Sequence, residues 1–154
     1  MARILIVDDD SAVRATIRIL LERAGHHVVV ANDGRHGLAI FDAEAFDLMF
    51  LDIFMPGMDG LETMRLVRQR QPLMPIIVMS GKPFSSDSRS FDSRPSDTKP
   101  GPDFLTMATR LGAVGSLQKP FKPSTLLAVV TDCLEAAKRS SSVSIEARCA
   151  ARGP

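Results

Sequence analysis

The chain has 154 residues, 45% of them apolar, and a formal charge of +1 at pH 7. That length suits one domain with a substantial core, and so balanced a charge leaves no nucleic-acid footprint. No apolar run approaches a membrane span, and Cys133 and Cys149 form neither a disulfide framework nor a metal cluster, so a reducing cytoplasm is the expected setting.

Arg3 to Val7 is a short β-branched-rich run and reads as the first strand, too short for a signal peptide. It ends in Asp8, Asp9 and Asp10. Asp10 or Ser11 is placed to cap the next helix, whose inward face is Val13, Ile17, Leu20, Leu21 and Ala24 and which Gly25 stops. His27 to Ala31 reads as the second strand, with the adjacent His26 and His27 at a solvent-facing strand start. Arg35 to Ala43 reads as a short helix. Phe46 to Leu51 is almost continuously apolar, as a strand buried on both faces requires, and delivers Asp52 at its end before Pro56, Gly57 and Gly60 mark a tight loop. Leu61 to Gln69 is predicted helical. Ile76 to Met79 is predicted as the fourth strand, with Ser80 at its tip.

From Lys82 to Pro102 the chain is rich in Ser, Pro, Asp and Arg and nearly free of aliphatic residues. Such a stretch buries too little apolar surface to offset its ordering entropy, and it is expected to be a mobile insertion. Asp103 to Leu111 then resumes helical spacing. Val114 to Gln118 reads as a fifth strand ending in Lys119-Pro120-Phe121. A last helix is expected from Ser124 to about Arg139, and a flexible tail over 140–154. Alternating strands and helices predict an α/β fold: a doubly wound, five-stranded parallel sheet with helices on both faces. Residues 1–139 would form the domain.

In such sheets ligands meet the carboxyl ends of the strands. Those ends carry Asp8 and Asp9, Asp52, Ser80 and Lys119. Carboxylates gathered at one point are stabilised by a hard divalent cation, and Mg²⁺ fits because it binds through one or two carboxylates plus phosphate oxygens. A lysine adds a point charge for an anion, and Ser80 a hydroxyl donor. Together these make a phosphoryl-transfer site in which Asp52 is the nucleophile and becomes an aspartyl phosphate.

The segments Ile-Leu-Ile-Val-Asp-Asp-Asp, Leu-Asp-Ile-Phe-Met-Pro-Gly-Met-Asp-Gly, Ile-Ile-Val-Met-Ser-Gly and Gln-Lys-Pro-Phe, in that order, resemble the receiver domain of bacterial two-component response regulators. The resemblance covers about Met1 to Arg139 apart from the insertion. It implies a flavodoxin-like fold; the tail after Arg139 is too short for an output domain, so a stand-alone regulator, a monomer or weak dimer, is expected. It implies phosphoryl transfer from a sensor histidine kinase or a histidine phosphotransfer protein to Asp52. It places Mg²⁺ on Asp9, Asp52 and the backbone carbonyl of Phe54, with Asp8 contributing through water. Ser80 becomes the hydroxyl that turns to the phosphate, Lys119 the phosphate-contacting cation, and Lys119–Pro120 a cis peptide.

Ser116 stands where the family usually has an aromatic switch residue, and Phe54 stands near the acceptor, where an apolar group should slow hydrolysis of the phosphate. The alternative is a receiver-like binding module regulated by docking, without phosphorylation. An aspartyl-phosphate hydrolase is disfavoured because Phe54 occupies the place of its second acid. A dinucleotide site is disfavoured because acids, not glycines, follow the first strand. The chain is thus expected to be a signalling phosphoacceptor, not an enzyme.

Overall fold

The computed structural model describes residues 1–53, 60–80, 110 and 112–150, with 140–150 described by backbone alone. The backbone carbonyl of Phe54, the insertion at 82–102 and the helix expected over Asp103 to Leu111 therefore lie outside the described residues, Arg110 excepted. The elements are β1 (Arg3–Val7), α1 (Ser11–Arg23), β2 (His27–Ala31), α2 (Gly34–Ala43), β3 (Leu48–Asp52), α3 (Gly60–Arg70), β4 (Ile76–Ser80), β5 (Gly115–Gln118) and α4 (Pro123–Ala150). All strand pairs are parallel, in the order β2-β1-β3-β4-β5. This is the predicted flavodoxin-like sheet.

The period of two along each strand divides the interior into two cores. Leu5, Val7, Met49, Leu51, Ile76 and Val78 face one side, where Leu38 and Phe41 of α2 and Met64 and Val67 of α3 cover them. Ile4, Ile6, Leu48, Phe50, Ile77 and Met79 face the other, under Ile17 and Leu21 of α1 and Leu126 and Val130 of α4. Cys133 is a buried free thiol in the second core, where burial raises its pKa and the nearby Asp132 adds to the rise. Among the described residues no helix is long and apolar enough to cross a membrane.

Two boundaries differ from the sequence reading in ways that matter. β3 begins at Leu48 and contains Asp52; just before it Asp47 is tied to Arg3 of β1 twice, its carboxylate accepting the Arg3 N–H at 2.8 Å and its own N–H donating to the Arg3 carbonyl at 2.8 Å. The last helix, expected to end at about Arg139, runs to Ala150, and residues 151–154 of the expected tail lie outside the described residues. Ser140, Ser141 and Ser142 do not end it, since serine costs only about 0.5 kcal/mol against alanine in a helix. No Gly or Pro interrupts the chain until Gly153. His26 also departs from the expectation of a solvated strand start. It is half-buried, and its Nδ1 accepts the Ala2 N–H at 3.3 Å.

Arg68, near the end of α3, ties three segments that the sheet alone does not join. Its guanidinium donates to the carbonyls of Pro72, Met74 and Gly112. Gly112 has a φ of +93°, which a side-chain-bearing residue rarely adopts, and it lies just before β5. Arg68→Met should lower stability by about 2 kcal/mol, since charge-assisted bonds to carbonyls are lost while water replaces part of them. Thermal unfolding followed by far-UV circular dichroism should show a melting point roughly 4–8 °C lower. An unchanged melting point would mean that Arg68 does not hold the approach to β5.

Candidate functional site

The turn between β1 and α1 separates three consecutive acids by function. The Asp8 N–H continues the sheet ladder onto the Ala31 carbonyl at 3.2 Å. Asp8 is fully buried, and its Oδ1 accepts the Asp10 N–H at 2.9 Å. Asp10 points the other way and caps α1, accepting from the N–H groups of Ala12 at 2.9 Å and Val13 at 3.4 Å. These two local bonds suit the short Asp side chain at a turn and a helix start. Asp9 is left exposed. From the first turn of α1, Arg14 reaches back, and its Nη1 donates to the Asp8 carbonyl at 2.6 Å.

Asp52 is the last residue of β3, and its side chain is 5% exposed. The chain beyond it is pinned twice: the Ile53 N–H bonds the Met79 carbonyl at 3.0 Å, and the Gly60 N–H bonds the Ile53 carbonyl at 3.1 Å. Gly60 thereby lies against the backbone of the acid. A Cβ placed on it would stand 2.1 Å from the Asp52 carbonyl oxygen and 2.6 Å from the Ile53 Cα. Only glycine fits so close an approach.

Lys119 follows β5 and is anchored at both ends. Its N–H bonds the Ser80 carbonyl at 2.8 Å, and its Nζ lies 2.6 Å from Asp8 Oδ2 and 3.2 Å from Asp52 Oδ2. The Lys119–Pro120 peptide is cis. Burial of the ammonium pulls its pKa down. The hydrogen bond that the ammonium donates to Asp8, the charges of Asp52 and Asp8, and the hydrogen bond that it donates to Asp52 outweigh that effect, so the pKa is raised. Ser80 is buried at the end of β4, one position beyond the Met79 that pairs in register with Asp52.

Asp8, Asp9 and Asp52 each offer a carboxylate oxygen, and these oxygens all lie within 4.8 Å of one another. Ligand oxygens around a small divalent cation stand about 3–4.2 Å apart, so three oxygens within this reach can converge on one such ion with modest side-chain movement. The all-oxygen, anionic donor set is the chemistry that a hard divalent cation selects. Three carboxylates against the Lys119 ammonium and the nearby Arg14 guanidinium leave the site net negative, so a cation is favourable there. The residues present therefore fit Mg²⁺.

The structure thus brings together Asp8, Asp9, Asp52 and Lys119, and sets Ser80 on the neighbouring strand end. Two contributors were not assigned a role from the sequence. Arg14 gives no signal beyond being a basic residue in an amphipathic helix. Gly60 reads as loop punctuation, and its contact with Asp52 depends on how α3 packs against β3.

The sequence profile of the response regulator receiver domain matches residues 4–90, more than half of the chain. The chain is 31% identical over 121 residues to the alkaline phosphatase synthesis transcriptional regulatory protein PhoP of Bacillus subtilis, covering 79% of this chain but 43% of PhoP. It is 30% identical over 156 residues to the transcriptional regulatory protein FixJ of Bradyrhizobium diazoefficiens, covering 98% of this chain and 68% of FixJ. The chain therefore spans only part of these curated relatives. Among solved structures, the chemotaxis protein CheY4 of Vibrio cholerae superposes with a TM-score of 0.71 at 32% identity, covering 87% of this chain and 99% of that one.

Proposed function

Because the chain belongs to the response regulator receiver domain family, whose members are phosphoacceptor signalling modules and not enzymes in their own right, we propose that Asp52 accepts a phosphoryl group from a phosphohistidine. The donor would be a cytoplasmic histidine kinase or a histidine phosphotransfer protein, and the phosphorylated chain would signal through altered protein–protein contacts. The observation that carries this reading is the placement of Lys119 Nζ between Asp8 and Asp52, with Asp9 beside them.

In this reading an Asp52 carboxylate oxygen attacks phosphorus. The O–P bond forms as the P–N bond breaks, and the electron pair of that bond returns to the imidazole nitrogen of the donor. Asp8, Asp9 and Asp52, with the Phe54 carbonyl, would hold Mg²⁺, which supplies positive charge to the phosphoryl oxygens when bound. Lys119 exchanges an aspartate oxygen for a phosphoryl oxygen, and its raised pKa keeps it charged for that task. Ser80 donates its hydroxyl to another phosphoryl oxygen. Burial of Asp52 keeps bulk water from the nucleophile and strengthens these interactions.

The test is incubation with acetyl phosphate with and without Mg²⁺, read by intact mass. A Mg²⁺-dependent adduct that is lost in Asp52→Asn is the expected result. An adduct that survives Asp52→Asn, or failure with both acetyl phosphate and a phosphohistidine protein, would overturn the proposal. Failure with both donors would favour the docking-only module. One feature leans toward that second reading: Ser116 is exposed on β5 and has no ring to report the phosphate.

A further inference from the structure

We infer that Arg14 is a positioning residue for the divalent cation, holding the turn that aims Asp8 and Asp9 into the site even though its own charge opposes the ion. The inference rests on the reading of Asp8, Asp9 and Asp52 as cation ligands. Asp8 is held from several directions. Its N–H is bound in the sheet to Ala31, and its carboxylate takes the Asp10 N–H and Lys119 Nζ. Its carbonyl takes Arg14 Nη1 at 2.6 Å. Asp9 follows that carbonyl directly, so the orientation of the Asp8–Asp9 peptide is set at the Arg14 contact. Arg14 is suited to this because its own N–H bonds the Asp10 carbonyl at 3.1 Å, which fixes its Cα on the same turn. Arg14 is half-buried, and its planar guanidinium loses less freedom than an ammonium on forming the bond.

Charge and position make opposite predictions here. A fixed positive charge beside three carboxylates repels an incoming cation, so charge alone predicts that removing Arg14 tightens binding. Groups that orient metal ligands without touching the metal typically change affinity by about 10–100-fold in the other direction. The contact is to a backbone carbonyl and not to a ligand oxygen, so Arg14 does not compete with the ion for a carboxylate. Position should therefore prevail.

The experiment is a Mg²⁺ titration by isothermal calorimetry on the full chain, which has no Trp or Tyr for a fluorescence readout. Arg14→Met is expected to bind Mg²⁺ about 10-fold more weakly than the wild type. Its melting point in EDTA should remain close to wild type. Arg14→Lys is expected to fall between the two, because an ammonium reaches the carbonyl without the planar fork, and it decides the matter if the Met variant does not fold. Binding by Arg14→Met that equals or exceeds the wild type would overturn the role of Arg14 alone. A wild-type chain that takes up no Mg²⁺ would overturn the cation reading, and this inference with it.

Discussion

Gly60→Ala is expected to slow Mg²⁺-dependent phosphorylation of Asp52 by about 100-fold, the typical effect of misplacing a reacting group by an ångström. The added Cβ would meet the Asp52 carbonyl at 2.1 Å, and the neighbouring backbone of Ile53 closes the other direction of escape. Neither is the far end of a flexible side chain. α3 or the end of β3 must therefore move, and β3 holds the nucleophile. Overpacking of this kind also costs about 1–3 kcal/mol of stability. Gly37→Ala separates the two effects. There the new Cβ would meet Val7 Cγ2 at 2.7 Å, a side-chain methyl on β1, while the acids keep their backbone. Gly37→Ala should lose stability but phosphorylate at nearly the wild-type rate. If Gly60→Ala phosphorylates as fast as Gly37→Ala, the close approach does not control the nucleophile.

Lys119→Met is expected to destabilise the metal-free protein by about 3–5 kcal/mol, because removing one partner of a buried ion pair leaves uncompensated charge. Asp8 has no exposed side-chain surface and Asp52 has 5%, so water replaces the ammonium poorly. Melting in EDTA at neutral pH should fall on the order of 10 °C. Mg²⁺ should narrow the gap, since an ion that binds only the folded state stabilises it by mass action. The wild type should show the matching alkaline behaviour. The folded-state pKa of Lys119 is raised above lysine's ordinary 10.5, so its contribution is complete below that value and is lost as pH rises through the higher folded-state pKa. A Lys119→Met variant as stable as the wild type in EDTA would show that the acids do not depend on the ammonium.

The parallel sheet was legible in the sequence because its strands are short apolar runs separated by helix-spaced segments, and buried parallel strands require such runs. Asp8, Asp9, Asp52 and Lys119 were legible for a related reason: each ends a strand, and strand ends of such a sheet meet on one edge. Their pairing was not. Lys119 could have faced solvent, and only the register of β5 on β4, with Ser80 opposite Gln118, delivers its ammonium to Asp8. Gly60 and Arg14 meet the backbone of the acids, Gly60 against the Asp52 carbonyl and Arg14 on the Asp8 carbonyl, and residue spacing does not foretell such contacts. The end of the last helix was expected at about Arg139, but the polar, small-residue-rich stretch that follows has no Gly or Pro before Gly153 and stays helical to Ala150.

β5 is four residues long and lies at the margin of the sheet, paired to β4 alone among the described strands. Short margins of this kind detach in local openings that cost far less than global unfolding. Amide protons of Gly115–Gln118 should therefore exchange with solvent through such openings. Each one withdraws Lys119 from Asp8 and Asp52 in the same event. A divalent ion drawn to the acids shares those carboxylate oxygens, so its arrival weakens the tether of a strand that bears no ligand itself. Occupancy of the acid pocket thus becomes readable as deuterium uptake along β5.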